Sequence, residues 1–324
     1  MECGTLTSYI QVFWSGDWHK ALDAALEDAN SNQDSQSKAK ARAWASRMRS
    51  ALGQVSQAKQ DARVATQLAP LPMCAIASAE AAIANGKPPL AYTLIKEAWD
   101  SLPTSAEIAL RVDMLISYAH IEVARGQPAG GYGKSLRAVA EAENQPLFLR
   151  AAALVAVGHA ALALGKFDES LHSFEAALDI RKGMNDHSPW VAECLDGIGR
   201  QKRHAGHPFE SVRFHEQACA VWEQMDTEPN GPLAACHHAL AHARYRTGNF
   251  EAARDEMSKA VLMTATVLGH DHIDTWISRF ELARYEIDCG DLTHGFQQMV
   301  EARDVVARRL GAEHPVVRSM DRFL

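Results

Sequence analysis

The sequence predicts an all-α solenoid of about eight antiparallel helix pairs, closed by a short C-terminal capping helix. Three observations predict it. Glycines at 16, 53, 86, 126, 165, 206, 248 and 290 recur at spacings of 37, 33, 40, 39, 41, 42 and 42 residues. Each is flanked on both sides by apolar residues at helical spacing, and helical composition runs through the whole chain. Alanine and leucine abound, aromatics make up only 7%, and β-branched runs are scarce, which favours helix over sheet.

Each element follows from these patterns. Ahead of Gly248, "GPLAACHHALAHARYRT" reads as a helix starting near Pro232 and stopping at the glycine. After it, Phe250, Ala253, Met257, Ala260 and Val261 fall on one face of a second helix. Small residues at 253 and 260 let the two helices approach, and the glycine permits the tight turn between them. Such a pair buries its apolar stripe only when stacked on its neighbours. The same arrangement is cleanest in "ALGKFDESLHSFEAALDI", residues 163–180. Before residue 150 it loosens: Pro88 and Pro128 stand where later units have an aromatic, and the turn "QPAGGYGK" reads as irregular. The ending "HPVVRSMDRFL" reads as the cap.

Gly158, Gly165, Phe167, Ser170, Phe174 and Ala177, and again Ala241, Gly248, Phe250, Ala253, Met257 and Ala260, fill the small, glycine, aromatic and alanine places of one motif. Pro70 and Pro103 follow Gly53 and Gly86 where that motif ends in proline. In these residues the chain resembles the tetratricopeptide-repeat family. Its later units, ending in "LGHDHIDT" and "LGAEHPVV", resemble the 42-residue repeats of kinesin light chains. The resemblance implies a right-handed superhelix and one solenoid over residues 1–324, divergent over 1–145 and regular, with the cap, over 146–324.

The resemblance also assigns a groove-facing register to the first helix of each pair. The place six residues before each turn glycine holds Ile10, Arg47, Glu80, His120, His159, Arg200, His242 and Arg284. Neighbouring groove positions add Asp196, His238 and Phe280, with Arg203, His204, Tyr245 and Arg246 nearer the turns. From the fourth unit on this register is basic and polar, although the chain carries a net charge of −7. The expected function is therefore a non-catalytic scaffold or adaptor holding an extended, acidic protein or peptide segment. Relatives that hold acidic chaperone tails use asparagine at this register, and none of the eight residues here is asparagine. The alternatives are a ligand-responsive regulator acting through a protein partner, or a repeat scaffold recruited as an enzyme or small-molecule binder. In the enzyme case His238, His242, Tyr245 and Arg200 would carry acid–base work.

Other function classes find little support. The acidic balance argues against direct nucleic-acid binding. No apolar run approaches a membrane span, and the start lacks a basic-then-apolar leader pattern, so a cytoplasmic protein is expected. The cysteines at 3, 74, 194, 219, 236 and 289 form no C-x-x-C pair and read as reduced, mostly buried thiols. His238 and His242 share a helical face, but a third ligand would have to come from Asp196, Glu193 or Cys236 and H-E-x-x-H is absent, so neither metal nor other cofactor is expected. Pairing of the solenoid ends into a homodimer is left open.

Overall fold

The computed structural model describes residues 8–225 and 231–324, and Cys3 lies outside them. Among the described residues there are 17 helices and no strand. The chain divides into two compact units, one ending at Gln201 and the other starting at Lys202.

The first unit runs through α1 (Ser8–Ser15), α2 (Trp18–Ser31), α3 (Ser35–Ala51), α4 (Val55–Leu68), α5 (Pro72–Ala84) and α6 (Pro88–Asp100). It continues with α7 (Ile108–Ala124), α8 (Pro128–Glu141), α9 (Leu147–Ala163), α10 (Phe167–Met184) and α11 (Pro189–His204), which carries the boundary. The second unit adds α12 (Pro208–Met225), α13 (Gly231–Arg246), α14 (Phe250–Leu268), α15 (Ile273–Asp288), α16 (Leu292–Leu310) and α17 (Pro315–Met320). Consecutive helices pack on one another from α1 to α10 in the first unit and from α12 to α17 in the second.

The glycine period is a period of left-handed turns. At Gly165 φ is +74°, its N–H donates to the Leu162 carbonyl at 3.0 Å, and the Lys166 N–H donates to Ala161 at 2.9 Å. These bonds cap the open carbonyls of α9 in a conformation that costs a glycine least. All eight periodic glycines have φ between +66° and +105°. Small residues then set the helix spacing. Phe174 on α10 is fully buried, and a Cβ on Gly158 of α9 or Gly197 of α11 would stand 2.8 or 2.5 Å from its ring.

The segment expected to be irregular, "QPAGGYGK", is instead regular helix from Pro128 onward. Proline is tolerated at the first helical position because its missing N–H would have no partner there, and Pro88 starts α6 in the same way. Gly131 lets α8 close on α7, since a Cβ would sit 2.7 Å from the Ala119 carbonyl oxygen. The cap forms as expected: Val317 and Met320 of α17 are buried against Phe280, Met299 and Val306. Cysteines dispersed in sequence meet across α12 and α13, where the Cys219 and Cys236 sulfurs are 2.7 Å apart. No helix among the described residues is long and apolar enough to cross a membrane.

Candidate functional site

In the first unit the register residues Arg47, Glu80 and His120 line a cavity of about 350 Å3. They come from α3, α5 and α7, the first helices of three successive pairs. Arg47 is 8% exposed and fully engaged. It gives Nε and Nη2 to Glu80 (2.9 and 3.2 Å), Nη1 and Nη2 to Asp113 (2.6 and 2.8 Å), and Nη1 also to the Met73 sulfur. Ser117 donates to Glu80 at 2.7 Å. Burial opposes the Arg47 charge, but the two carboxylates more than restore it and hold its pKa above the usual range.

The opposite wall comes from the other end of the unit. Arg181 on α10 donates through Nη1 to the Trp190 carbonyl and to Glu193 of α11, both at 2.6 Å. Burial works against the Glu193 charge, yet Arg181 outweighs it and holds the carboxyl below its usual range. Helix α1 packs against this wall. The Trp190 indole donates to the Phe13 carbonyl at 3.2 Å, and Asn185 donates to the Ser15 carbonyl at 2.8 Å. Trp14 stacks on both Trp190 and Phe148 with ring centroids 4.8 Å apart. A Cβ on Gly16 would meet Pro189 at 2.7 Å, so the turn after α1 is in close contact with the start of α11.

The remaining register residues of this unit sit beside the cavity. The His120 and His159 rings meet edge to face at 5.9 Å, and His159 packs on Phe174 at 5.0 Å. Burial first, then the charges of His120 and Arg200, push His159 down to about 4; burial also lowers His120. Arg200 is held by Asp196 at 2.6 Å.

In the second unit the predicted residues form one cluster on α13 and α15. His238 and His242 lie edge to face at 4.6 Å, and His242 Nδ1 is 2.8 Å from the Tyr285 hydroxyl. Burial, then His238, Arg203 and Arg284, push His242 down to about 3. Tyr245 stacks on Tyr285 at 4.6 Å and donates to Asp288 at 2.9 Å. The Arg284 guanidinium lies over the rings of Tyr245, Tyr285 and Phe323 at 5.1, 5.1 and 4.7 Å. Its Nη2 pairs with Glu281 at 2.8 Å, while its buried Nε has no hydrogen-bond acceptor. Arg203 and His204 close the end of α11, and Arg246 is exposed at the end of α13.

The positive charge expected from the register is therefore carried by its arginines and not by its histidines. The histidines with lowered pKa are neutral at pH 7, and Arg47, Arg200 and Arg284 each face a carboxylate. Sequence reasoning missed Asp113, Arg181 and Trp14 as wall residues. For Asp113 the available signal was a lone carboxylate inside an apolar helix, in "RVDMLISYA". Among the described residues no three His, Cys, Asp or Glu side chains converge as metal ligands.

Comparison with known proteins agrees with this architecture. Residues 149–224 and 233–274 match the tetratricopeptide repeat. A Rap protein complexed with Competence and Sporulation Factor superposes with a TM-score of 0.67 at 14% identity, covering 98% of this chain and 94% of that one. A putative kinesin light chain of Podosopora anserina with TPR-like repeats gives 0.53 at 21% identity over 63% of this chain and 98% of that one. The clustered mitochondria protein homolog of Danio rerio is 27% identical over 123 residues, 38% of this chain. The chain spans only 9% of that protein's length.

Proposed function

The chain is a tetratricopeptide-repeat protein, and from that premise we propose that it is a non-catalytic interaction scaffold. Its second unit holds an extended, acidic protein segment against α13 and α15. The observation that carries this reading is the Arg284 guanidinium, set among three aromatic rings with one carboxylate partner. Arginine with tyrosine is the composition that dominates binding energy at protein interfaces, and a guanidinium recognises carboxylates bidentately. Exposed Arg246, together with Arg203 and His204, extends the same polarity, while half-exposed Phe323 offers an apolar anchor. The Rap relative, solved with a bound factor, supports ligand binding by chains of this fold.

The reading expects a cytoplasmic protein acting through its partner. Its test has two steps, capture of partners from the native lysate and then titration of the captured segment against Arg284→Ala and Arg246→Ala. Affinity should fall about tenfold or more in the first variant. It should also weaken steeply with salt, because exposed charge pairs are screened over about 8 Å at physiological ionic strength. Unchanged affinity in Arg284→Ala, with the repeats still folded, rules the reading out.

A further inference from the structure

The cavity of the first unit is not used by segment binding at α13 and α15. We propose that it is a binding site for a small organic cation, an ammonium or guanidinium carried on an aliphatic or aromatic body.

Charge is the first argument. The cavity is lined by two cations, Arg47 and Arg181, and three carboxylates, Glu80, Asp113 and Glu193. The lining therefore carries one negative charge in excess, which a bound cation balances and a bound anion adds to. Anions are disfavoured for a second reason. All five N–H donors of Arg47 are already committed to Glu80, Asp113 and Met73, so an incoming carboxylate or phosphate would have to break existing bonds.

Open capacity points the same way. Glu193 gives one oxygen, Oε2, to Arg181 and remains 35% exposed, so its carboxylate can accept from a ligand. His120 Nε2 is buried with no hydrogen-bond partner. Burial lowers the pKa of His120, so the ring is neutral and one of its nitrogens is an acceptor. Phe13, Trp14 and Trp190 add an aromatic wall against which the body of the ligand can pack. Ile83, Ile116 and Val155 supply an apolar lining for the body of the ligand. A volume of about 350 Å3 lies at the small end of ligand pockets.

The test is native mass spectrometry of the full chain. It is offered an equimolar pool of benzylamine, tyramine and agmatine, and separately a pool of benzoate, 4-hydroxyphenylacetate and adipate. Amine or guanidine adducts should form, and carboxylate adducts should not. Glu193→Gln should weaken the retained cation about tenfold or more. Trp14→Leu, which leaves every buried ion pair intact, should weaken it several-fold, and Arg284→Ala in the second unit should change nothing. The proposal is overturned if the carboxylates are retained as well as the amines, if no cation is retained by the folded chain, or if both Glu193→Gln and Trp14→Leu retain it unchanged. Because Arg284→Ala tests segment binding separately, failure of either reading leaves the other standing.

Discussion

Phe174 is where three helices set their spacing. Its ring is fully buried on α10, with Gly158 of α9 on one side and Gly197 of α11 on the other. The Ser170 hydroxyl donates to the Gly158 carbonyl at 2.9 Å, fixing how α10 lies on α9. A methyl group at residue 197 would stand 2.5 Å from the ring, nearer than carbon atoms approach, so the ring or α11 would have to shift. Gly197→Ala should therefore destabilise the chain by about 1–3 kcal/mol, the usual cost of overpacking a core. Shrinking the ring should recover part of it, so Gly197→Ala with Phe174→Leu should lose less than the sum of the single changes. Urea midpoints of the four proteins measure this. A midpoint for Gly197→Ala equal to that of the parent would show that the spacing is not set by this contact.

At the scale of elements, α3, α5 and α7 are joined by charge as well as by apolar contact. Arg47, Glu80 and Asp113 each come from a different pair, at sequence separations of 33 and 66 residues. Asp113 is 8% exposed, so removing it strands a buried guanidinium with one carboxylate. Asp113→Ala should cost about 3–5 kcal/mol, the range for breaking a buried pair. Replacing all three by apolar residues of similar volume should cost far less, and thermal unfolding of the two variants distinguishes the cases. Equal losses would mean that the cost comes from lost packing and not from stranded charge. This network also marks the limit of the sequence reading. Glycine period and apolar stripe foretold the helix pairs, because both report local geometry repeated along the chain. The register even named Arg47, Glu80 and His120. It could not tell that Asp113 faces Arg47, or that Trp14 meets Trp190, since those pairings depend on how successive pairs and α1 come together in space.

For the whole molecule, the informative groups are histidines whose burial makes stability depend on pH. His159 in the first unit is pushed down to about 4, and His242 in the second to about 3, in both cases by burial before any neighbouring charge. An unfolded histidine titrates near 6.5. A folded pKa below the unfolded one means that the unfolded chain binds the proton more tightly. The stability is therefore complete above about pH 6.5 and declines as pH falls toward 4. Between about pH 7.5 and about pH 5 each histidine should withdraw up to about 2 kcal/mol. Glu281 works in the opposite sense, because burial raises its pKa and protonation favours the folded form. The total slope is thus less diagnostic than a difference between variants. His159→Asn and His242→Asn should each flatten the fall in chemical-denaturation stability across that window, and the double variant should flatten it further, because solenoid stability is close to a sum over repeats and their interfaces. A double variant with the same pH slope as the parent would mean that neither histidine is buried in its neutral form.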